Sequence, residues 1–347
     1  MEETQKERNN KKTTGTDNMK MTLQWTMEED QARRAVPVVG LRVTAVRSDD
    51  QGHRCQPSDE LVMKTGSSVF AVAISADAAM IVTGSCDNTG RMWNAKTGEC
   101  EEMLVGHTDW VRGVAISADG GTIATGSWDH TVRLWNGKTG VLLKILRGHT
   151  DRVCPVAISA DGATIVSGSR DKTVRVWDAN TNECPRILRG HAATVPAVAV
   201  SPDGATIVSG SWDHTVRVWN ARTGVCEQTL QGHSDDVCSV AISSDGETIA
   251  SGSCDSTVRL WNAKSGECKK ILQGHTQAVT AVAMSQDGAM IVSGAADKTV
   301  RVWDAETGLW VHVLHGHTET VYGVAISADG KTIVSGSADK TARKWDL

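Results

Sequence analysis

A closed ring of seven small antiparallel sheets, an all-β propeller, is the fold that this chain of 347 residues predicts. Three features predict it: a strict internal repeat, four short strand patterns in each repeat, and tight turns between those strands. A repeat of about 20 to 50 residues marks a chain built from copies of one supersecondary unit. The stretch GSWDHTVRLWN at 126–136 accordingly returns as GSWDHTVRVWN at 210–220, with one residue changed.

The repeat is 42 residues long and runs without insertion or deletion. Tryptophan recurs at this spacing as Trp93, Trp135, Trp177, Trp219, Trp261, Trp303 and Trp345. Gly-His pairs keep the same spacing at 106–107, 148–149, 190–191, 232–233, 274–275 and 316–317. Seven units account for 294 of the 347 positions, which predicts a propeller domain over residues 54–347 and an N-terminal tail over residues 1–53.

Each unit contains four strand patterns, as residues 107–148 illustrate. These patterns alternate or are rich in β-branched residues, and Asp, Gly or Asn residues form the turns between them. The predicted strands are 110–117, 122–127, 131–136 and 141–148. A single sheet of this kind exposes two apolar faces, so copies must stack, and a ring leaves no end uncovered.

Closure of the ring is predicted to use a strand from the N-terminal side. The last unit stops at Leu347, directly after Trp345 and Asp346, and so has no fourth strand of its own. Residues 59–64 lie one 42-residue period before the first of the other fourth strands, and this alignment puts Leu61 and Val62 in the apolar positions. We expect this segment to pair antiparallel with residues 341–346.

The N-terminal tail differs in composition from the repeats. Residues 1–20 are too polar to fold alone and are expected to be disordered. Residues 23–35 fit a short helix and residues 36–47 fit a strand. The tail lacks the apolar core of a secretion signal, and no apolar run reaches the length of a membrane span. The net charge of −5 gives no indication of a nucleic-acid partner.

The nine cysteines do not predict a metal site or a disulfide framework. Eight of them fall in three positions of the repeat, a ring holds the equivalent positions of different units far apart, and the sequence contains no C-x-x-C pair. We therefore expect no metal and no cofactor. Reduced thiols without a secretion signal favour the cytoplasm, with the nucleus as an alternative.

The repeated motifs resemble those of WD40 repeats: a Gly-His pair, an Asp-Gly turn, a regularly spaced Asp and a closing Trp-Asp or Trp-Asn. The near-identity of the units is most similar to the WD arrays associated with NACHT/STAND-type nucleotide-binding proteins. The resemblance implies a seven-bladed propeller in which His, Ser or Thr, Asp and Trp form one buried hydrogen-bonded tetrad per blade. Six such copies indicate a structural role, because an enzyme needs one site.

The implied tetrads are His107, Thr125, Asp129, Trp135; His149, Ser167, Asp171, Trp177; His191, Ser209, Asp213, Trp219; His233, Ser251, Asp255, Trp261; His275, Ser293, Asp297, Trp303; and His317, Ser335, Asp339, Trp345. The first unit has Lys64 and Thr65 in place of Gly-His, so its Thr83, Asp87 and Trp93 lack an imidazole.

A few positions of the repeat vary although the rest is nearly constant. They are the third and fifth residues after His and the two residues that flank the tetrad Asp, and the family resemblance places them together on one rim. Exposed positions that drift freely favour small polar residues, whereas tryptophan and arginine are enriched in binding hot spots. We expect an exposed partner-binding patch made of Trp110, Arg112, Trp128, Arg152, Arg170 and Trp212.

The function predicted from these features is a non-catalytic scaffold or adaptor that binds other proteins or peptides through this rim. The varying positions offer scattered carboxylates and no long loop in which a catalytic pocket could form. Two alternatives stay open: a recognition module related to the NACHT/STAND-associated arrays, and a lectin-like propeller that stacks sugars on rim tryptophans. No membrane or nucleic-acid partner is expected, and a monomer is favoured.

Overall fold

The computed structural model describes residues 61–181 and 183–347, which form seven four-stranded antiparallel sheets. These residues contain no helix, so none of them belongs to a helix long and apolar enough to cross a membrane. The all-β propeller predicted from the sequence is confirmed. The domain boundary at residue 54 and the features predicted for residues 1–20, 23–35 and 36–47 lie outside the described residues.

We number the sheets 1 to 7 in chain order. Sheets 1 to 3 contain β2 (Val69–Ile74), β3 (Met80–Ser85), β4 (Gly90–Asn94), β5 (Cys100–Leu104); β6 (Val111–Ile116), β7 (Thr122–Ser127), β8 (Thr131–Asn136), β9 (Leu142–Arg147); and β10 (Val153–Ile158), β11 (Thr164–Ser169), β12 (Thr173–Asp178), β13 (Arg186–Arg189). Sheets 4 and 5 contain β14 (Ala197–Val200), β15 (Thr206–Gly210), β16 (Val216–Asn220), β17 (Cys226–Leu230); and β18 (Val237–Ile242), β19 (Thr248–Ser253), β20 (Thr257–Asn262), β21 (Cys268–Gln273). Sheets 6 and 7 contain β22 (Val279–Met284), β23 (Met290–Ala295), β24 (Val300–Asp304), β25 (Trp310–Leu314); and β26 (Val321–Ile326), β27 (Thr332–Ser337), β28 (Thr341–Asp346), β1 (Leu61–Lys64).

Within each sheet the strands follow one another in chain order, because short turns connect antiparallel neighbours. The first strand of every sheet contacts the first strand of the next, and β26 contacts β2, which closes the ring. In six sheets the first strand carries a register irregularity just after its start, such as the shift between Val111 and Gly113 in β6. Such a bulge frees the side chain of its extra residue from the regular pleat, here Arg112.

The hydrophobic core consists of seven clusters, one at each junction between neighbouring sheets. Between sheets 2 and 3, Leu134 and Leu146 of one sheet pack on Val153, Ile165 and Trp177 of the next. Alternate residues of the three inner strands face opposite neighbours, so both faces of every sheet contribute to the core, whereas the outer strands are largely exposed. No sheet therefore has a core that is independent of the ring.

The ring is closed by β1, which pairs antiparallel with β28 as predicted. The predicted register is wrong by one residue: Met63 is 1% exposed and lies opposite Ala342, whereas Val62 is 40% exposed. Met63 thus takes the place that Leu146 holds in sheet 2, where Leu146 lies opposite Val132. The connection from β1 to β2 is one residue shorter than its equivalents, so the strict period misplaces the strand.

Removing β1 is expected to prevent cooperative folding of the ring. Deletion of residues 1–66 uncovers the junction that Met63 fills between sheets 7 and 1, at a cost of at least about 3 kcal/mol in unfolding free energy. Deletion of residues 1–50 leaves β1 in place and is the matched control. Urea unfolding of both truncations checks this, and equal midpoints for the two and the full chain would contradict it.

Candidate functional site

The six predicted tetrads form continuous hydrogen-bonded chains. In sheet 3 the Trp177 indole N–H donates to Ser167 Oγ, the Ser167 hydroxyl donates to His149 Nε2, and His149 Nδ1–H donates to Asp171 Oδ2. The equivalent distances lie between 2.7 and 2.9 Å in all six sheets that carry the His. Each chain ties the second and third strands of a sheet to the connection that enters it.

The aspartate carries the negative charge of the tetrad. Burial alone would raise the pKa of Asp171, but hydrogen bonds from His149, Thr173 and the Thr150 amide outweigh it and hold this pKa well below its usual range. Burial lowers the pKa of His149 below the ordinary value of 6.5. In sheet 3 the Asp171 carboxylate therefore accepts from a neutral His149 imidazole at neutral pH.

The order Ser–His–Asp matches a hydrolase triad, yet these tetrads are not arranged for catalysis. The Ser167 side chain is fully buried, and its oxygen already accepts the indole N–H of Trp177. A nucleophile must be within reach of a substrate carbonyl, which this hydroxyl is not. The tetrads therefore serve the fold.

Sheet 1, which has Thr65 instead of the tetrad histidine, uses an arginine to satisfy its aspartate. Arg91 Nη2 donates to Asp87 Oδ2 at 2.6 Å, whereas the equivalent Arg133 Nη2 lies 3.9 Å from Asp129 Oδ2 in sheet 2. The Trp93 indole still donates to Thr83. The sequence predicts the missing imidazole of this sheet but not its replacement. The signal for the replacement is an arginine two residues before every repeat tryptophan.

Tetrad stability is expected to depend on pH. A histidine whose pKa is lowered on folding contributes stability above pH 6.5 and loses it as the pH falls, since the folded state resists protonation. His149→Asn should therefore lower the unfolding free energy by about 1–3 kcal/mol at pH 7 and by less at pH 4. Urea unfolding of both proteins between pH 7 and pH 4 measures the difference. A pH-independent difference would contradict the assignment of a neutral His149.

The varying positions of the repeat meet at one end of each sheet. The residue before the tetrad Asp donates its backbone N–H to the third residue after His: Trp128 to Trp110, and Arg170 to Arg152, both at 3.0 Å. The fifth residue after His, such as Arg112, is the extra residue of the β-bulge. Backbone pairing thus holds these positions together within a sheet.

Aromatic rings from three sheets form a continuous row at this end of the ring. Trp110 and Trp128 of sheet 2 are stacked with centroids 4.4 Å apart and planes 23° apart. Phe70 of sheet 1 lies 5.2 Å from Trp110 and 5.4 Å from Tyr322 of sheet 7. Phe70 and Tyr322 are the one phenylalanine and the one tyrosine of the sequence, and our sequence reasoning did not place them in the site.

Three arginines surround the Trp128 ring. The guanidinium carbons of Arg112, Arg152 and Arg170 lie 5.5, 4.0 and 5.1 Å from its centroid, which is cation–π distance. Arg112 also lies 4.1 Å from the Phe70 centroid, and Arg170 lies 5.8 Å from that of Trp212. All six residues predicted for the rim are thereby brought together. We call the set the aromatic–arginine cluster: Phe70, Trp110, Arg112, Trp128, Arg152, Arg170, Trp212 and Tyr322.

The expectation that these side chains are exposed is wrong. Trp128 is only 4% exposed, and the other five predicted residues are partly buried. The reason is that side chains of neighbouring sheets pack on one another: Trp128 has Trp110 on its own sheet and Arg152 and Arg170 from sheet 3. The tryptophans of the cluster are therefore not freely exposed.

Trp128 is therefore expected to contribute to stability. Trp128→Ala should lower the unfolding free energy by about 3 kcal/mol, because it removes a buried ring and leaves a cavity. Trp310→Ala is the matched control, since Trp310 is 49% exposed on β25, and it should cost less than about 0.5 kcal/mol. Urea unfolding of the two variants tests this, and equal losses would contradict the burial of Trp128.

Sheet 5 presents different chemistry at the same varying positions. Cys238 and Cys254 are in contact, with their sulfurs 3.2 Å apart. Burial and the neighbouring Asp235 raise the pKa of Asp236 to about 6. His214 Nε2 lies 4.0 Å from Asp236 Oδ1, and these two groups and Asp235 have ligand atoms within 4.8 Å of one another. His214 and Asp235 are exposed, and exposed groups of this kind are common without a bound ion.

A ring of seven sheets fastened by repeated tetrads defines a repeat-built β-propeller. The family model for the WD domain, G-beta repeat, WD40, matches residues 59–94, 98–136, 140–178, 182–220, 224–262, 266–304 and 308–346. The chain belongs to the WD-repeat family. It is also 59% identical over 32 residues to an uncharacterised WD repeat-containing protein of Schizosaccharomyces pombe. That match spans about 9% of this chain and about 9% of the relative.

Proposed function

We propose that this protein is a non-catalytic interaction module that binds other proteins or peptides through the aromatic–arginine cluster. The observation that supports this is where the extra aromatic residues lie. Outside the repeat tryptophans, the described chain has six Trp, Phe or Tyr residues, and all except Trp310 belong to the cluster. Random drift over seven equivalent units does not favour such a concentration on one side of the ring.

The physical character of the cluster supports the same function. Tryptophan, tyrosine and arginine supply large contact areas and dominate binding hot spots. Here Trp110, Trp128 and the three arginines are already packed on one another. Side chains that are ordered before binding lose less conformational entropy when a partner docks. WD-repeat propellers generally act as protein-interaction scaffolds, which agrees with this reading.

The backbone next to the tetrad aspartates gives independent support. In every sheet the residue that follows this Asp adopts a left-handed conformation, with φ between 66° and 70°. Glycine is the residue that this conformation favours, yet all seven positions carry a side chain. These residues are Asn88, His130, Lys172, His214, Ser256, Lys298 and Lys340. Side chains kept against a backbone preference support a role for this end of the ring in contacts.

Two other candidate functions receive different support. A lectin-like function requires tryptophan faces that are open for sugars, and the burial of Trp128 between Trp110 and the arginines argues against it. A recognition module related to the NACHT/STAND-associated arrays is supported by the unbroken 42-residue repeat. Both protein-binding readings fit a monomer acting in the cytoplasm or nucleus without a cofactor.

The proposal is tested by capture of proteins from cell lysate with matched charge variants. Arg152→Gln combined with Arg170→Gln should weaken capture at least about thirtyfold, equivalent to about 2 kcal/mol. Arg147→Gln combined with Arg189→Gln removes two exposed arginines from the outer strands β9 of sheet 2 and β13 of sheet 3, and should leave capture unchanged. Urea unfolding first establishes that both double variants fold. Equal capture by the cluster variant and the control would overturn the proposal.

A further inference from the structure

Two cysteine side chains of sheet 5 are positioned for chemistry that the proposed function does not use. The sulfurs of Cys238 and Cys254 lie 3.2 Å apart, and both residues are free and partly buried. Cys238 is the bulged residue of β18, and Cys254 directly follows β19. The Cys254 amide donates to the Asp236 carbonyl at 2.9 Å, so the backbone holds the two segments together.

The contact follows from the repeat geometry. These two positions are sixteen residues apart in every sheet. In sheet 2 they hold Arg112 and Trp128, whose side chains also meet. Among the seven sheets only sheet 5 has a thiol at both positions; Cys86 and Cys154 occupy one of the two positions in sheets 1 and 3. The pairing of two thiols is therefore specific to sheet 5.

We propose that Cys238 and Cys254 are an oxidative modification site, a dithiol that a peroxide converts reversibly into an intramolecular disulfide. A disulfide needs sulfurs about 2.05 Å apart, so the two sulfurs must move about 1 Å closer to form the bond. This movement involves Cys238 in a bulge and Cys254 in a turn, and neither residue is held by the regular hydrogen-bond ladder of the sheet. This inference is independent of the proposed function and stands if that function is wrong.

The two thiols take different roles in the reaction. One thiol donates a hydrogen bond to the other across the 3.2 Å contact. One sulfur attacks the peroxide as a thiolate, is oxidised to a sulfenic acid, and releases hydroxide. The sulfur of the second thiol then attacks the sulfenic sulfur. The S–S bond forms, the S–O bond breaks, and the proton of the second thiol leaves with the departing hydroxide as water.

The disulfide is expected to restrict the motion of one turn of sheet 5. The disulfide joins the first strand of the sheet to the turn before its third strand, on the same side as the aromatic–arginine cluster. A cross-link over a loop of this length restricts the unfolded chain, so the melting temperature should rise by roughly 5 °C. Thiol reductants should reverse both the bond and the shift.

The test uses the full reduced chain, treated with hydrogen peroxide, blocked with an alkylating reagent and digested after glutamate. Cleavage at Glu227, Glu247 and Glu267 places Cys238 and Cys254 in separate peptides with one cysteine each. We expect these two peptides to be recovered as one disulfide-linked species that dithiothreitol separates. Cys226 lies on the outer strand β17 and should remain alkylated.

Variants separate this result from general oxidation. Cys254→Ser should abolish the linked species and the rise in melting temperature, whereas Cys226→Ser should preserve both. The wild-type digest decides the question even if a variant folds poorly. The proposal would be overturned if both peptides were recovered alkylated to the same extent as the peptide that contains Cys226. It would also be overturned if each cysteine were oxidised separately to sulfinic acid. Linkage of either cysteine to a third one would overturn it as well.

Discussion

The burial of apolar surface between neighbouring sheets is the interaction on which this structure depends. Each sheet has two apolar faces and no core of its own, so each face must be covered by the next sheet around the ring. The requirement cannot be met by an open array, because its two ends would expose apolar faces to water. Pairing of β1 with β28 supplies the last cover, and Met63 fills the final junction.

The hydrogen-bonded tetrads give the sheets a common geometry, which allows neighbouring sheets to stack in the same way. The tetrad satisfies a buried carboxylate, an imidazole, a hydroxyl and an indole in one network, and such networks specify a single arrangement when every member is bonded. Sheet 1 reaches the same end differently, since Arg91 pairs with Asp87 where the histidine is missing. What is kept among the sheets is therefore the satisfaction of the aspartate, and a histidine is one of two ways to achieve it.

Uniform sheets leave a small number of positions free to differ, and the bulge and turn of each sheet bring those positions together. On one side of the ring they hold stacked rings and three guanidinium groups around Trp128. On sheet 5 they hold two thiols in contact and the half-buried Asp236, whose raised pKa reflects that burial. One scaffold thus carries two chemically distinct surfaces, because the tetrads and the hydrophobic clusters between sheets are made of other residues.

The sequence by itself determined the number of sheets, the strands within each and the positions that vary, and its resemblance to WD40 repeats implied the tetrads. Strict spacing made this readable, since strand and turn chemistry is local and is repeated in every unit. Only the tertiary structure decided the register of Met63, the pairing of Arg91 with Asp87, and the burial of Trp128. It also decided the contact of Phe70 with Tyr322, whose residues stand six repeats apart in the chain. These features arise where neighbouring sheets pack together, and packing between residues distant in sequence leaves no periodic pattern to read.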